Sequence, residues 1–452
     1  MRKISKKEKK SKKTTSLTVI NFNAGGIDIG DKEIVVSVPA DRDEESIRTF
    51  GTFTCDLHDI ARFLIKCGVN SVAMESTGVY WVQLYLILED YGIEVYLVNA
   101  KHVKNVTGRK DDEGDAEWIQ KLHSCGLLKR SFQPDNTIRT LRNLVRHRKN
   151  LIRSQSSHVN RMIKTMELMN IKLHTVISDI LGKTGMSILK AILEDGERDP
   201  EKLSKLTDRR IKATKQEIIK SLEADWREEY LFELKQYYDF YYYYQANIEE
   251  VSKRIEQELL KQIAAKYHGD ITVENKPLKR TPKSIRYNEY NFNVGKYLEK
   301  ITGVDPTEIF GINSITALDI FSEVGTDLSR WKSSKHFTSW LAISPNNKIT
   351  AGKIISSKIM KKKHRAGQAF RMGASTLWNS KNELGDFYRR IKARSGPSKA
   401  IVATARKMAT IYYMMMTKKE KFNPKGLIEY QQIYKQKKIK RLRRQLTDLE
   451  AA

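Results

Sequence analysis

Cysteine is scarce in this chain of 452 residues: Cys55, Cys67 and Cys125 lie far apart and form no CxxC pair. That spacing suggests neither a structural zinc site nor a disulfide framework, and a reducing cytosol is expected. No run of about 18 apolar residues occurs. The basic N-terminus enters Ser16–Phe22 without a long apolar core or a small-residue cleavage site. The expectation is a cytoplasmic protein, neither exported nor membrane-spanning. Acid is in short supply too: Asp and Glu total 54 against 82 Lys and Arg, leaving a formal net charge of +28. Such a field favours nucleic acid or an anionic membrane surface as partner. Apolar material is sufficient for packed cores, since 40% of residues are hydrophobic and 9% aromatic. Wholesale disorder is therefore excluded, and the length calls for roughly two to four domains.

The positive excess is clustered. Residues 1 to 17, Lys353 to Arg371 and Lys435 to Arg444 each carry a net +7. Clustered charge is what phosphate neutralisation requires, because each contacted phosphate releases condensed counterion. The terminal runs also fit solubilising tails, whereas the internal run, with Lys353, Lys361, Lys362, Lys363 and Arg365, is harder to read as one.

From Ala24 to about Phe132 short apolar runs alternate with helical patterns. They predict strands at Gly25–Ile29, Glu33–Pro39, Ile47–Phe53, Ser71–Glu75 and Glu94–Asn99. Helices are predicted at Asp56–Cys67, with Asp56 as N-cap, Tyr80–Tyr91 and Gly114–Leu128. This is the element order of an α/β, RNase H-like domain. Beyond it the pattern is almost all helical to Ile301. Leu141, Leu144, Arg148 and Leu151 start a helix whose other faces bear Arg142, Arg146, Lys149 and Arg153. Leu234, Tyr237, Tyr241, Tyr244, Ile248, Val251 and Ile255 recur at alternating three and four, a heptad seam that predicts a dimerising coiled coil. The run Tyr241–Tyr244 could also be a base-stacking platform, but its helical spacing favours the seam. The expected organisation is a basic tail over 1–17, the RNase H-like domain over 18–132, a coiled-coil middle over 133–300 ending in a basic Pro-containing linker at Lys276–Arg286, a mainly helical domain over 301–422 and a basic tail over 423–452.

Four carboxylates stand where such a sheet would gather them. Asp28 lies inside the first strand, Glu75 ends the fourth, and Asp112 and Asp115 sit three apart at the start of a helix, facing the same way. Crowded carboxylates repel one another, and one or two Mg²⁺ (or Mn²⁺) ions bridged by phosphate oxygens relieve that repulsion. Singly, Asp112 could be a helix cap and Glu75 a solvated strand end. Asp28, between Ile27 and Ile29, needs a partner or a metal.

The segments Gly26-Ile27-Asp28, Glu75-Ser76-Thr77-Gly78-Val79-Tyr80 and Gly108 to Ala116 resemble the acidic signatures of insertion-sequence transposases with a RuvC-like DEDD domain, the bridge-RNA-guided recombinases related to the Piv invertases. Phe310-Gly311-Ile312-Asn313, Trp340 to Ile349, Leu384 to Arg390 and Lys399 to Lys407 are similar to the second half of that family. The resemblance implies a DNA transposase or site-specific recombinase, metal on Asp28, Glu75, Asp112 and Asp115, and a nucleophilic serine in a loop after Pro345-Asn346-Asn347-Lys348. Here the loop reads Ile349-Thr350-Ala351-Gly352-Lys353, with Thr350 at the serine position; Ser356 and Ser357 follow but do not align with it. The resemblance also implies double-stranded DNA and a guide RNA as partners, a homodimer or homotetramer, a nucleoid location, and a composite site in which one protomer's tetrad faces another's hydroxyl loop.

A hydroxyl is wanted because strand exchange without resynthesis must keep the phosphodiester energy in a covalent protein–DNA link. Phosphate contacts are expected from Arg146, Arg153, Arg389, Arg390 and the Gly311 turn, which resembles half of a helix-hairpin-helix, together with the cations of the internal run. Two other readings stay open: a structure-specific, Holliday-junction-like nuclease using water, and an RNA-guided DNA-binding protein that has lost its chemistry.

Overall fold

The computed structural model describes residues 18–99, 103, 114–269, 273, 288–361 and 364–450. The tail over 1–17 and the linker at Lys276–Arg286 lie outside them. By their contacts the residues divide into two compact units, Met1–Gln133 and Pro134–Ala452.

In the first unit, strands β1 (Ala24–Ile29), β2 (Ile34–Ser37), β3 (Ile47–Phe50), β4 (Ser71–Glu75) and β5 (Glu94–Val98) form one sheet in the order β3-β2-β1-β4-β5. The first three make an antiparallel meander, while β1, β4 and β5 run parallel. Parallel neighbours need crossovers, here α1 (Thr54–Lys66) before β4 and α2 (Trp81–Asp90) between β4 and β5. Asp56 is the third residue of α1 rather than its N-cap. Its carboxylate reaches back to accept the Phe53 N–H at 2.9 Å, as an acid at that position can.

Alternation along the strands decides which residues meet which layer. Ile27, Ile29, Val72 and Met74 share a core with Ile60 and Leu64 of α1 and Leu84 and Leu88 of α2. The opposite face presents Ala73, Tyr96 and Val98 to Trp118, Ile119 and Leu122 of α3 (Asp115–Ser124).

The second unit is built on α4 (Asn136–Leu168), capped by Asp135, whose side chain accepts the Ile138 N–H at 2.9 Å. Between it and α7 (Glu228–Tyr267), helices α5 (Lys183–Leu193) and α6 (Lys215–Leu222) add Ile188, Leu189, Ile218 and Leu222 to a core that includes Met162, Met166 and Leu234. Arg148 donates to Ser252 Oγ at 2.8 Å and Gln155 to Gln245 Oε1 at 3.0 Å, so α4 and α7 run antiparallel. The heptad seam expected to dimerise therefore has a partner within the chain. Leu234, Tyr241, Ile248 and Ile255 are buried within the chain, where α4 is the principal neighbour of α7. A heptad pattern calls for a helical partner and does not say whose.

The chain continues through α8 (Val294–Thr302), α9 (Ser314–Val324), α10 (Ser334–Trp340), the hairpin β6 (Lys348–Thr350) and β7 (Lys353–Ser356), and then α11 (Arg365–Ser375), α12 (Glu383–Ser395), α13 (Pro397–Lys418) and α14 (Lys425–Glu450). Helix α13 is its internal post, with Tyr412 buried beside Phe337 and Phe370. No helix among the described residues is long and apolar enough to cross a membrane.

Candidate active site

Parallel register sets the acids side by side. Ile27 on β1 pairs with Met74 on β4, so the next rung holds Asp28 and Glu75 on strands spaced about 4.8 Å apart. Both point away from the Ile27/Met74 core, onto the face covered by α3. That helix lies close to the sheet because residue 26 is glycine: a Cβ there would fall 2.2 Å from the Ala116 carbonyl oxygen and 2.3 Å from the Gln120 nitrogen. Gln120 Nε2 also donates to the Ala24 carbonyl at 3.2 Å. At the far end of α3, His123 Nε2 lies 3.0 Å from Ser71 Oγ at the start of β4, and its ring packs 4.6 Å from Tyr96. Burial pushes the His123 pKa down to about 4, so the pin is a neutral imidazole at ordinary pH.

With one end pinned to the start of β4 and the other resting on Gly26, α3 directs its N-terminus toward the acidic strand ends. Asp115 opens that first turn. Asp28 and Glu75 are half-buried and Asp115 is exposed; Asp112 lies outside the described residues. Among the described residues no three His, Cys, Asp or Glu side chains converge closely enough to hold a metal ion. The donor chemistry nevertheless suits Mg²⁺ or Mn²⁺: hard carboxylate oxygens at the carboxyl ends of parallel strands, with part of each group open to solvent. Sequence reasoning missed Gly26, Gln120 and His123, which place α3. The pair Gly25-Gly26, separated from the strand acid Asp28 by Ile27, was the available signal.

In the second unit Thr350 lies not in an irregular loop but at the end of β6, paired with Lys353 across a two-residue turn. Ala351 (φ 47°) and Gly352 (φ 74°) both take left-handed backbone, the conformation of the tight turn whose twist matches a hairpin. Alternation puts Thr350 and Lys353 on one face of the ribbon and Ile349 and Ile354 on the other. Ser356 lies on β7, its hydroxyl accepting the Lys358 N–H at 3.4 Å.

The expected phosphate-binding residues separate into two groups. Arg153, Lys353, Lys361 and Arg365 are exposed; Lys362 and Lys363 lie outside the described residues. The others have work inside the fold. Arg146 makes two bonds of 2.8 Å to Glu323. Arg389 pairs with Asp386 and donates to the Ser380 carbonyl at 2.8 Å, and Arg390 lies over the Phe387 ring at 5.3 Å. Gly311 (φ 87°) is required by packing, since a Cβ would lie 2.7 Å from the Gly373 carbonyl oxygen. The Asn313 side chain takes the Thr316 N–H at 2.9 Å, so the start of α9 is already capped where the helix-hairpin-helix reading placed a phosphate.

Comparison with known protein families returns two matches. Residues 25–171 are similar to the DEDD-domain model of the IS110 transposases, described as Transposase. Residues 307–389 are similar to the model described as Transposase IS116/IS110/IS902 family. The first span includes Asp28, Glu75, Asp112 and Asp115; the second includes Gly311, Thr350, the internal cations and Arg389. No curated protein matches the chain.

Proposed function

The chain belongs to the IS110-type transposases, and we propose that it breaks and rejoins DNA strands as a site-specific recombinase guided by an RNA. The observation that carries this reading is the shared rung of Asp28 and Glu75 under the first turn of α3, which opens with Asp115. In this reading the sheet is an RNase H-like scaffold. Asp28, Glu75, Asp112 and Asp115 hold Mg²⁺ or Mn²⁺, which when bound neutralises charge on the phosphate and on the leaving oxygen.

Thr350 is the proposed nucleophile. Its hydroxyl proton leaves, Oγ1 bonds to phosphorus, the bond from phosphorus to the 3′-oxygen breaks, and that oxygen takes up a proton. The energy of the phosphodiester stays in the protein–DNA link, and reversal against a new 3′-end rejoins the strand. Lys353, opposite Thr350 on the ribbon, would bring positive charge to the same phosphate. Arg153, Lys361 and Arg365 extend a phosphate grip that carries affinity and little sequence information, which fits delegation of sequence reading to a guide RNA. The working form in this reading is an RNA-bound multimer.

The test is strand exchange with the full-length protein and the RNA that copurifies with it. Asp28→Asn or Asp115→Asn is expected to bring cleavage to background while fold and DNA affinity persist, because repulsion is relieved and no packing is lost. Full activity in either variant, or in excess chelator, rejects the metal site. Light scattering with absorbance at two wavelengths tests the assembly: an RNA-free monomer indifferent to added guide contradicts it. A nuclease using water would keep cutting after Thr350→Ala.

A further inference from the structure

The β6–β7 ribbon shows apolar side chains where a soluble surface ordinarily hides them. Ile349 and Ile354, partners across the ribbon, are 60% and 58% exposed, and Ile355 is 69% exposed. A two-stranded ribbon is marginal in water by itself. Among the described residues it is tied down at its base by the Pro345–Ile359 bridge and by the Asn346 N–H donating to the Lys358 carbonyl at 3.1 Å. Paired isoleucines at an exposed tip call for an occupant.

The surrounding charge identifies its class. From Leu328 to Asn382 the sequence contains no Asp or Glu and 12 Lys or Arg, among them Lys348, Lys353 and Lys358 on or beside the ribbon. A basic protein surface is repelled, and a polyanion is attracted. The polyanion must also offer something apolar. Duplex DNA does: its grooves admit a two-stranded ribbon, and its base steps accept apolar side chains as wedges that unstack and kink the helix. The deep, narrow major groove of duplex RNA does not admit side chains in this way.

We propose that the ribbon is a DNA wedge, in which the Ile349–Ile354 pair inserts at a base step and unstacks the duplex next to the phosphate presented to the Thr350/Lys353 face. This rests on the reading of the chain as a DNA recombinase and deepens it. The two faces of one ribbon divide the work: the hydroxyl and the cation meet the backbone, and the isoleucines meet the bases. Unstacking beside the scissile position frees the phosphate to rotate into line with the attacking oxygen, at an energetic cost that is least at flexible pyrimidine–purine steps.

The experiment uses full-length protein with its copurified RNA and a mixed-sequence DNA duplex rich in TA steps, with permanganate as the probe of unstacked thymines. Wild type is expected to make thymines hyperreactive. The Ile349→Ser/Ile354→Ser double variant should lose at least about fivefold of that signal while its affinity stays within about threefold, since phosphate contacts dominate binding. Met360→Ser, exposed but outside the ribbon, should retain the signal. All these side chains are exposed, and an unchanged melting temperature verifies the fold of each variant. A duplex that is bound with silent thymines, or a double variant as reactive as wild type, overturns the wedge and leaves the DNA-recombinase reading standing. Failure of wild type to bind the duplex at all removes that reading and the wedge with it. A photocrosslinker at position 354 that tags the RNA instead of the DNA also overturns the wedge.

Discussion

Carboxylates do opposite work in the two units. In the second, Asp319 and Glu323 are largely buried on α9 and bonded to cations of α4: Lys149 to Asp319 at 2.5 Å, Arg146 to Glu323 at 2.8 Å. Burial alone would raise the Glu323 carboxyl, but Arg146 and Arg142 outweigh it and hold the group below its usual range. Burial of Arg142 lowers that guanidinium to about 10 against the pull of Glu323. These charges join helices. In the first unit, Asp28 and Glu75 stand on adjacent strand ends under a helix N-terminus, partly open to solvent, an arrangement that brings like charges together. The difference separates carboxylates that join helices from carboxylates gathered at neighbouring strand ends, where the proposed metal would sit.

The sharpest way to break that contrast is to remove one carboxylate from each unit and measure stability. Glu323→Ala strands Arg142, whose side chain is 8% exposed, and should cost about 3–5 kcal/mol. Asp28→Asn should cost no more than ~1 kcal/mol and can stabilise. Urea titrations of the full-length variants check this. Equal losses would place both acids in the same structural category.

A second measurement sharpens the contrast by asking what acid does to the scaffold under the candidate metal site. The His123 pKa is about 4 in the folded chain against about 6.5 unfolded. The folded state therefore binds fewer protons between those values, and stability falls as pH drops through that window. The loss should approach about 3 kcal/mol by pH 4, read as faster amide exchange in β4 and α3. His123→Gln, which can keep a bond to Ser71 without titrating, should remove this component.

How much of this was legible depended on whether the signal was local. Strands β1 to β5 could be located from the sequence because each is a short alternating run bounded by turns, and Asp28 and Glu75 were identifiable from their positions in those runs. The consequence of Gly26 was hidden, because a close approach by residue 116 is not a local property. The same limit applies to Arg146: on a helix face it looks like a phosphate ligand until Glu323, far along the chain, arrives to neutralise it. The heptad of α7 was visible, but its partner α4 was not, since periodicity carries no address. The hairpin escaped because Thr350-Ala351-Gly352-Lys353 lacks the Asn-Gly or Asp-Gly signature and places alanine where a left-handed residue is needed.

The hydroxyl supplies the next prediction, which tests whether the second unit holds chemistry as well as cations. The extra methyl of Thr350 restricts χ1 and crowds an in-line phosphate. Thr350→Ser should therefore lower the barrier by about 1 to 3 kcal/mol, a roughly fivefold to 150-fold acceleration, and Thr350→Ala should be inactive. Mapping a trapped protein–DNA adduct by mass spectrometry gives the position directly. An adduct at Ser356 or Ser357 would move the nucleophile. An adduct in Thr350→Ser alone would make the natural chain a silenced recombinase, with its carboxylates kept and its hydroxyl ineffective.

The smallest expected effect concerns the turn that presents this hydroxyl. Ala351 sits at φ 47°, where the Cβ of an L-residue approaches the following carbonyl, at a cost of roughly 1 kcal/mol relative to glycine. Nothing else in the described fold compels that conformation except the two-residue connection from Thr350 to Lys353. The strain is therefore met by the hairpin alone, and relieving it should be visible there alone. Ala351→Gly is expected to slow amide exchange in β6 and β7 by about fivefold, the ratio that ~1 kcal/mol represents, with the melting of both units unchanged. Glycine gains entropy in the open state, which works against the gain, so Ala351→Asn, tolerant of left-handed backbone and less free when open, should do at least as well. If either variant also speeds strand exchange, ordering of the ribbon limits the wild-type reaction. If exchange protection rises while the rate stays level, the methyl of Thr350 is the remaining obstacle, and combining the turn variant with Thr350→Ser should then give no more than Thr350→Ser by itself.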